Sequence, residues 1–471
     1  MIRSRLVEIL RVCNKKELRE LKKWVHSPAH NLREDVILLY NYLVEDGYLW
    51  EDEFIAKSVV YPRVYPKEEY NDAKMRQVIH FLMKSVEEFL IYQEVNQDEV
   101  ESKMVLSKVY RKKGLDKSFE KNMRNIKSLQ QKQEYRNDHY YRSEFLRLRE
   151  ELAFLANQTR TKPMNLQEFS DVLDVNFIID KLQYAYFMLS HQKVFKAEYN
   201  FGLISEVLSF IDKHPELLDI SAIAVYYYGY KTVTDKRNEV YFHALKKEIF
   251  ENGHLFPHEE LLSLYVMAIN YGIARHNAGQ LEYTKESFKL YKRGFEKKIL
   301  IQDGKISRFT FPNVVTVGLR SEEYDWVESF IHNYNHYLED KYREDTVQFC
   351  LARLHFEKEE FDSALRICTQ TDYDEIFMNL YSRAMVMKIY YQQNEYDVLD
   401  SYLESFRNYV VRKKNIGYHK ANYKNIIRLT KKLLKVNPYS KKDKEKLKAE
   451  IEKVNPLTER SWLLEQLEKA S

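Results

Sequence analysis

Apolar and polar positions recur with a helical period along almost the whole chain. Asn14 followed by Glu17 has the pattern of a capping box, which predicts a helix over 15–26 that ends at Ser27-Pro28. Residues 32–47 predict a second helix, with Gly47 as its stop. The segment 51–66 is shorter and carries Pro62 and Pro66. Over 71–95 the apolar residues Met75, Val78, Ile79, Leu82, Val86, Phe89 and Leu90 fall on one stripe at three- and four-residue steps. Residues 1–96 therefore predict an N-terminal helical domain, and 97–165 a basic helical connector. The end of the connector, NQTRTKPMN at 157–165, lacks apolar periodicity and contains Pro163, which marks it as a loop or joint.

From 166 to 436 the pattern changes to amphipathic helix pairs, each about 35–45 residues long, which is the period of α-solenoid repeats. Pair starts are expected near Asn176, Asp219, Glu259, Arg308, Arg343, Glu375 and Gly417. Pro215, Gly253, Pro257, Gly279 and Gly304 break the pattern between helices. Residues 437–471 predict basic capping helices. Three segments align: Tyr324-Asp325, Phe361-Asp362 and Tyr396-Asp397 each open a second helix. Five positions before each aromatic stands a large apolar residue, Leu319, Phe356 or Tyr391, and ten positions before an aliphatic one, Val314, Leu351 or Val386.

The stretch LARLHFEKEEFDSAL, 351–365, resembles the tetratricopeptide repeat. Small residues at 352 and 364 let two antiparallel helices approach, while Phe356 and Phe361 plug the turn and Asp362 sits where a helix N-terminus favours negative charge. The resemblance is good over 343–370, fair over 308–336 and 375–410, and only architectural over 176–300; the helix-ending proline of the family is mostly absent and repeat length varies. The whole chain also resembles bacterial helical-repeat proteins of no assigned activity. The resemblance implies an all-α fold: an N-terminal helical domain followed by a tetratricopeptide-like, right-handed helical-hairpin solenoid. It also implies a concave face that takes up a protein partner, lined here by Asn313, Thr316, Arg320, Phe349, Arg353, Tyr381 and Lys388.

Composition fits helices joined tightly, since only 11 Gly and 9 Pro occur in 471 residues. The 37 Tyr and 25 Phe are expected mainly as filling between helices. Three cysteines, Cys13, Cys350 and Cys368, imply no disulfide framework and fit a reducing compartment. Without a signal-peptide pattern or a spanning apolar run, the expected location is the cytoplasm, with no membrane contact.

Catalytic patterns are missing. Gly304-Lys305 lacks the rest of a P-loop, and His258-Glu259 is followed by Leu262 where a zinc protease needs its second histidine. His332 and His336 lie one helical turn apart but have no local third ligand, so they are expected as surface or seam residues. Cys350 and Cys368 are expected as buried thiols in a helix seam. No catalytic residue, cofactor or metal is assigned.

Charge is uneven although the net value is only +4. Residues 101–149 hold 14 Lys/Arg against 6 Asp/Glu, residues 321–408 hold 8 against 19, and residues 411–455 hold 15 against 4. The bland account is solvated faces and mutual attraction between the acidic block and the basic end. The functional account is a basic patch at Lys413, Lys414, Lys424, Arg428, Lys431 and Lys432 that meets an acidic partner or a nucleic-acid backbone. The sequence thus predicts a non-enzymatic scaffold for another protein. Its alternative is a nucleic-acid-associated regulator that uses 101–149 or 411–454, and a third reading is an enzyme without a known motif.

Overall fold

The computed structural model describes residues 1, 4–156, 165–195, 197–235, 238–413 and 416–469. Among them the chain is all-helical. The only extended pairing is an isolated bridge between Gln302 and Lys305. Two compact units form, Met1–Lys181 and Leu182–Ser471. The division falls inside the helix Leu166–Phe195, which runs through the pair start expected at Asn176. No breaker interrupts 166–195, so one continuous helix forms there instead of two. Of the expected joint at 157–165, residues 157–164 lie outside the described residues; the Asn165 side chain accepts a hydrogen bond from the Glu168 N–H in the first turn of that helix.

The first unit holds two cores. One gathers Leu6, Val25, Leu39, Tyr61, Val78 and Phe89 from helices that include Arg5–Val12, Lys15–His26, Glu34–Tyr40, Lys57–Val64 and Asp72–Gln97. The capping box is present: the Asn14 side chain accepts from the Lys16 and Glu17 N–H groups, and Asn14 N–H donates to the Glu17 carboxylate at 2.7 Å. Gly47 stands at φ +83°, a left-handed conformation that glycine adopts without steric cost, just where the second helix stops. The other core lies among Glu99–Lys112, Asp116–Lys132 and Asp138–Leu155, where Phe119 stacks on Phe154 at 4.1 Å beside Met104, Met123 and Ile126. At its edge Arg147 is almost fully buried, held 3.0 Å from Glu151.

The second unit is a series of antiparallel helix pairs. In order these include Ser221–Thr234 with Val240–Asn252, His258–Asn277 with Glu282–Glu296, and Thr310–Arg320 with Tyr324–Tyr334. Asp340–Glu357 with Phe361–Gln370 and Ile376–Gln392 with Tyr396–Arg412 follow, then His419–Lys435, Lys441–Lys453 and Arg460–Lys469. Helices neighbouring in sequence pack together, and so do the first helices of successive pairs, as Asp340–Glu357 does with both Thr310–Arg320 and Ile376–Gln392.

The turn inside three of these pairs is the same structure made three times. Glu322, Glu359 and Asn394 all take the left-handed conformation, at φ +62°, +60° and +61°. The following N–H of Glu323, Glu360 or Glu395 reaches back to the carbonyl of Gly318, His355 or Tyr390, which closes a Schellman turn. The aromatic-Asp pair then starts the next helix. Small residues decide how closely the helices approach. Ala352 and Ala364 are wholly buried against Met385 and Ile389. At Gly318 an added Cβ would stand 2.4 Å from Val327 Cγ2.

Candidate functional site

The residues assigned to a groove divide into a row that is used internally and a remainder that is accessible. Thr316 and Arg353 occupy corresponding positions, 37 residues apart, on helices that pack side by side. Arg353 Nη1 donates to Thr316 Oγ1 at 2.7 Å, and the hydroxyl donates in turn to the Pro312 carbonyl at 2.6 Å. The guanidinium lies over the rings of Phe349 and Tyr381, 5.7 and 5.1 Å from their centroids. Arg353 is only 9% exposed and Phe349 7%, with the Phe349 ring set edge-on against both Tyr373 and Tyr381. One repeat further on, Lys388 Nζ is 2.8 Å from the Glu459 carboxylate and 4.6 Å from the Phe356 ring centroid. Only about 10 Å³ of space remains among Arg353, Tyr381, Lys388 and Glu459.

Arg320 is exposed and has a different partner. Its Nη1 donates to Nε2 of His276 at 2.7 Å, so Nε2 carries the lone pair and Nδ1–H donates to Thr284 Oγ1 at 2.6 Å. Burial, and then the positive charge of Arg320, lowers the His276 pKa below its ordinary value. Asn313 is exposed and Tyr381 partly so.

Open space lies at the starts of the first helices. A cleft of about 380 Å³ is lined by Arg308, Lys341, Tyr342, Asp345, Glu375 and Met378, among others. A second, of about 830 Å³, shares Arg308 and Tyr342 with it and extends along Gln302, Lys305 and Glu339. Arg308 lies over the rings of Phe309 and Tyr342 at 4.7 and 4.4 Å and has no carboxylate at ion-pair distance among the described residues. Asp345 accepts the Asp374 N–H at 2.9 Å, which ties the start of one first helix to that of the next. Sequence periodicity missed these residues because they precede or begin helices. The available signal was local: Arg308-Phe309 and Asp374-Glu375 both stand directly before predicted helices.

The chemistry-bearing residues are placed as follows. His332 and His336 are exposed, and among the described residues no group of three or more His, Cys, Asp or Glu side chains is arranged to hold a metal ion. Burial raises the thiol pKa of Cys350 to about 12 and that of Cys368 above its ordinary value, so both are protonated and weakly nucleophilic at neutral pH. Both are free.

Three of the six residues of the basic patch are paired with carboxylates from within. Arg428 and Lys432 both bond Glu450, and Lys431 bonds Glu404. Lys432 and Arg428 hold the Glu450 carboxyl below its ordinary pKa, and Lys431 does the same for Glu404. Lys413 lies over the Tyr409 ring at 4.9 Å, Lys424 is exposed, and Lys414 lies outside the described residues.

Compared with known proteins, the chain matches no family model, and neither a curated protein nor a solved structure shows significant similarity to it. Among the described residues no helix is long and apolar enough to cross a membrane.

Proposed function

We propose that the chain is a non-enzymatic scaffold whose second unit is a tetratricopeptide-like solenoid that holds an extended peptide or helix of another protein. The repeated Schellman turns and the side-by-side first helices support the repeat reading. The observation that carries the binding reading is the pair of clefts joined at Arg308 and Tyr342. There a guanidinium held over two rings and free of carboxylate partners faces Asp345 and Glu375, with Ile376 and Met378 as apolar wall. Pre-set aromatic and arginine groups beside a small apolar surface are what energetic centres of protein interfaces are made of. Exposed Asn313 and Arg320 and partly exposed Tyr381 extend this surface along the first helices, whereas Thr316, Phe349, Arg353 and Lys388 are used in packing and hydrogen bonds within the chain.

A photo-crosslinking amino acid placed at Tyr342 tests this. In nuclease-treated lysate it should give discrete protein adducts that are absent when the same group replaces exposed His332. Arg308→Glu should reduce those adducts at least about tenfold while leaving thermal melting unchanged. Equal adducts at both positions, or adducts that Arg308→Glu does not affect, would refute the assignment of the site.

A further inference from the structure

We propose that the exposed face of the helix Asp116–Lys132, in the first unit, binds the phosphate backbone of a nucleic-acid duplex. This function is separate from the protein scaffold above. The helix turns Phe119, Asn122, Met123, Ile126 and Gln130 into the core. On the opposite side, at three- and four-residue steps, stand Lys117, Lys121 and Arg124 and, two turns on, Lys132, with Lys113 at the end of the preceding helix close by in sequence. All five are exposed. From Lys117 to Lys132 the row runs about 22 Å at the rise of an α-helix. A duplex presents one phosphate charge per roughly 1.7 Å of its axis, so a row of this length can meet several phosphates at once.

Pairing separates this row from several cations of the helices it packs with. Elsewhere in the same three-helix core Arg111 is bound to Glu150, Lys103 to Glu99 and Arg142 to Asp180. Among the described residues no carboxylate stands within ion-pair distance of Lys113, Lys117, Lys121 or Lys132. Asp116 and Glu120 lie to one flank of the row and have interactions of their own. The row is therefore a set of solvated positive charges whose counterions a polyanion would release.

The groups between the cations choose among polyanions. Asn125, Ser128 and Gln131 are exposed beside the row, neutral donors of the kind that bond phosphate oxygens. Exposed Leu115 precedes the helix between Lys113 and Lys117, and no apolar side chain stands on the row from Lys117 to Lys132. An acidic protein would find no buried anchor there, and a lipid surface no apolar face to insert. No aromatic ring stands on the row either, so unstacked bases have no platform, which favours a duplex backbone over a single strand.

The test is fluorescence anisotropy of the full chain with a labelled 24-base-pair DNA duplex of arbitrary sequence, and with the RNA duplex of the same sequence. About five phosphate contacts predict that raising salt from 50 to 200 mM weakens binding roughly 500-fold for either duplex. The triple variant K117E/K121E/R124E should weaken binding at least about 100-fold at 50 mM salt and flatten the salt dependence by about three powers. K441E/K442E/K444E makes the same change in net charge at the other end of the chain and should stay within about threefold of the unaltered chain. If the triple variant melts earlier, K117Q/K121Q/R124Q replaces it, with binding again reduced at least about tenfold. Absence of duplex binding at 50 mM salt would overturn the proposal. So would equal losses in the two charge-reversed variants, or binding to phosphatidylserine vesicles or polyglutamate that is as tight and as salt-dependent as binding to the duplexes.

Discussion

On the helix His419–Lys435, Arg428 and Lys432 share Glu450 and Lys431 takes Glu404, while on the helix Asp116–Lys132 the exposed lysines have no carboxylate at ion-pair distance among the described residues. By sequence count the first region was the more basic, with 15 Lys/Arg against 4 Asp/Glu over 411–455 and 14 against 6 over 101–149. The difference lies in what packs beside each helix. His419–Lys435 sits between two helices that bring acids to its surface, Tyr396–Arg412 with Glu404 and Lys441–Lys453 with Glu450. Asp116–Lys132 packs on Glu99–Lys112 and Asp138–Leu155, whose ion-paired acids are turned to other cations: Glu150 to Arg111, Glu99 to Lys103, Glu151 to Arg147. A charge count measures how many cations a segment has. The neighbouring helices determine how many remain for a partner.

The largest expected effect on folding in this comparison comes from converting the paired region to the unpaired kind. Glu450→Lys leaves Arg428 and Lys432 facing a third cation in place of a shared carboxylate. Loss of the two partly screened ion pairs, with new repulsion, should lower the stability of the second unit by about 1–2 kcal/mol. That corresponds to a melting temperature lower by roughly 2–3 °C for a unit of this size. The same variant should gain salt-sensitive duplex binding at the C-terminal end. A melting temperature within 1 °C of the parent, or no gain in duplex binding at 50 mM salt, would mean that these ion pairs do not decide where free positive charge lies.

A smaller contrast sets one cation from each unit side by side. Lys388 is held by Glu459 and rests on Phe356, with its side chain 12% exposed. Truncating it in Lys388→Ala leaves Glu459 short of its partner and removes packing, which should cost about 1 kcal/mol in chemical denaturation. Lys117 touches no such partner, and Lys117→Ala should stay within about 0.5 kcal/mol of the parent. Equal losses in the two variants would erase the distinction between structural and available cations.

Much of the fold was legible because it depends on residues close together in sequence. The capping box at Asn14 and Glu17, the stop at Gly47 and the stripe from Met75 to Phe89 all follow from short-range geometry. The aromatic-Asp pairs at 324, 361 and 396 likewise marked three turns of one kind, and the left-handed residues at 322, 359 and 394 show why the spacing is kept. The side-chain partners were not legible. The resemblance to the tetratricopeptide repeat implies that Arg353 and Lys388 face a groove, but it cannot say what covers that face. Arg353 reaches Thr316 37 residues back, and Lys388 reaches Glu459 71 residues on. A one-residue feature such as Glu459 at φ +54° before the last helix has no periodic signature. The cleft at Arg308 and Tyr342 escaped for a related reason, since it is formed where helices begin and the apolar pattern has not yet started.

Arg320 stands between the two kinds of cation, because its partner is a neutral imidazole. Its bond requires the Nε2 lone pair of His276, and a proton there would put two positive charges at hydrogen-bond distance. The lowered pKa of His276 expresses that conflict together with its burial. An unfolded histidine titrates near 6.5. Above that pH the native contact costs nothing in protonation. As pH falls through 6.5 toward the lower native pKa, the unfolded chain takes up a proton that the folded chain resists, so stability declines. Urea midpoints for the second unit's transition should therefore fall between pH 7.5 and pH 5.5, and the fall should shrink in His276→Gln, whose amide keeps a neutral acceptor for Arg320. This is the smallest of the expected effects, since His276 is only partly buried and one of 14 histidines. It still separates the two regions: charge reversals on Lys117, Lys121 and Arg124 should leave that pH dependence untouched. If the midpoint did not change with pH, or changed by the same amount with glutamine at 276, the Arg320–His276 contact would not be formed in solution as described.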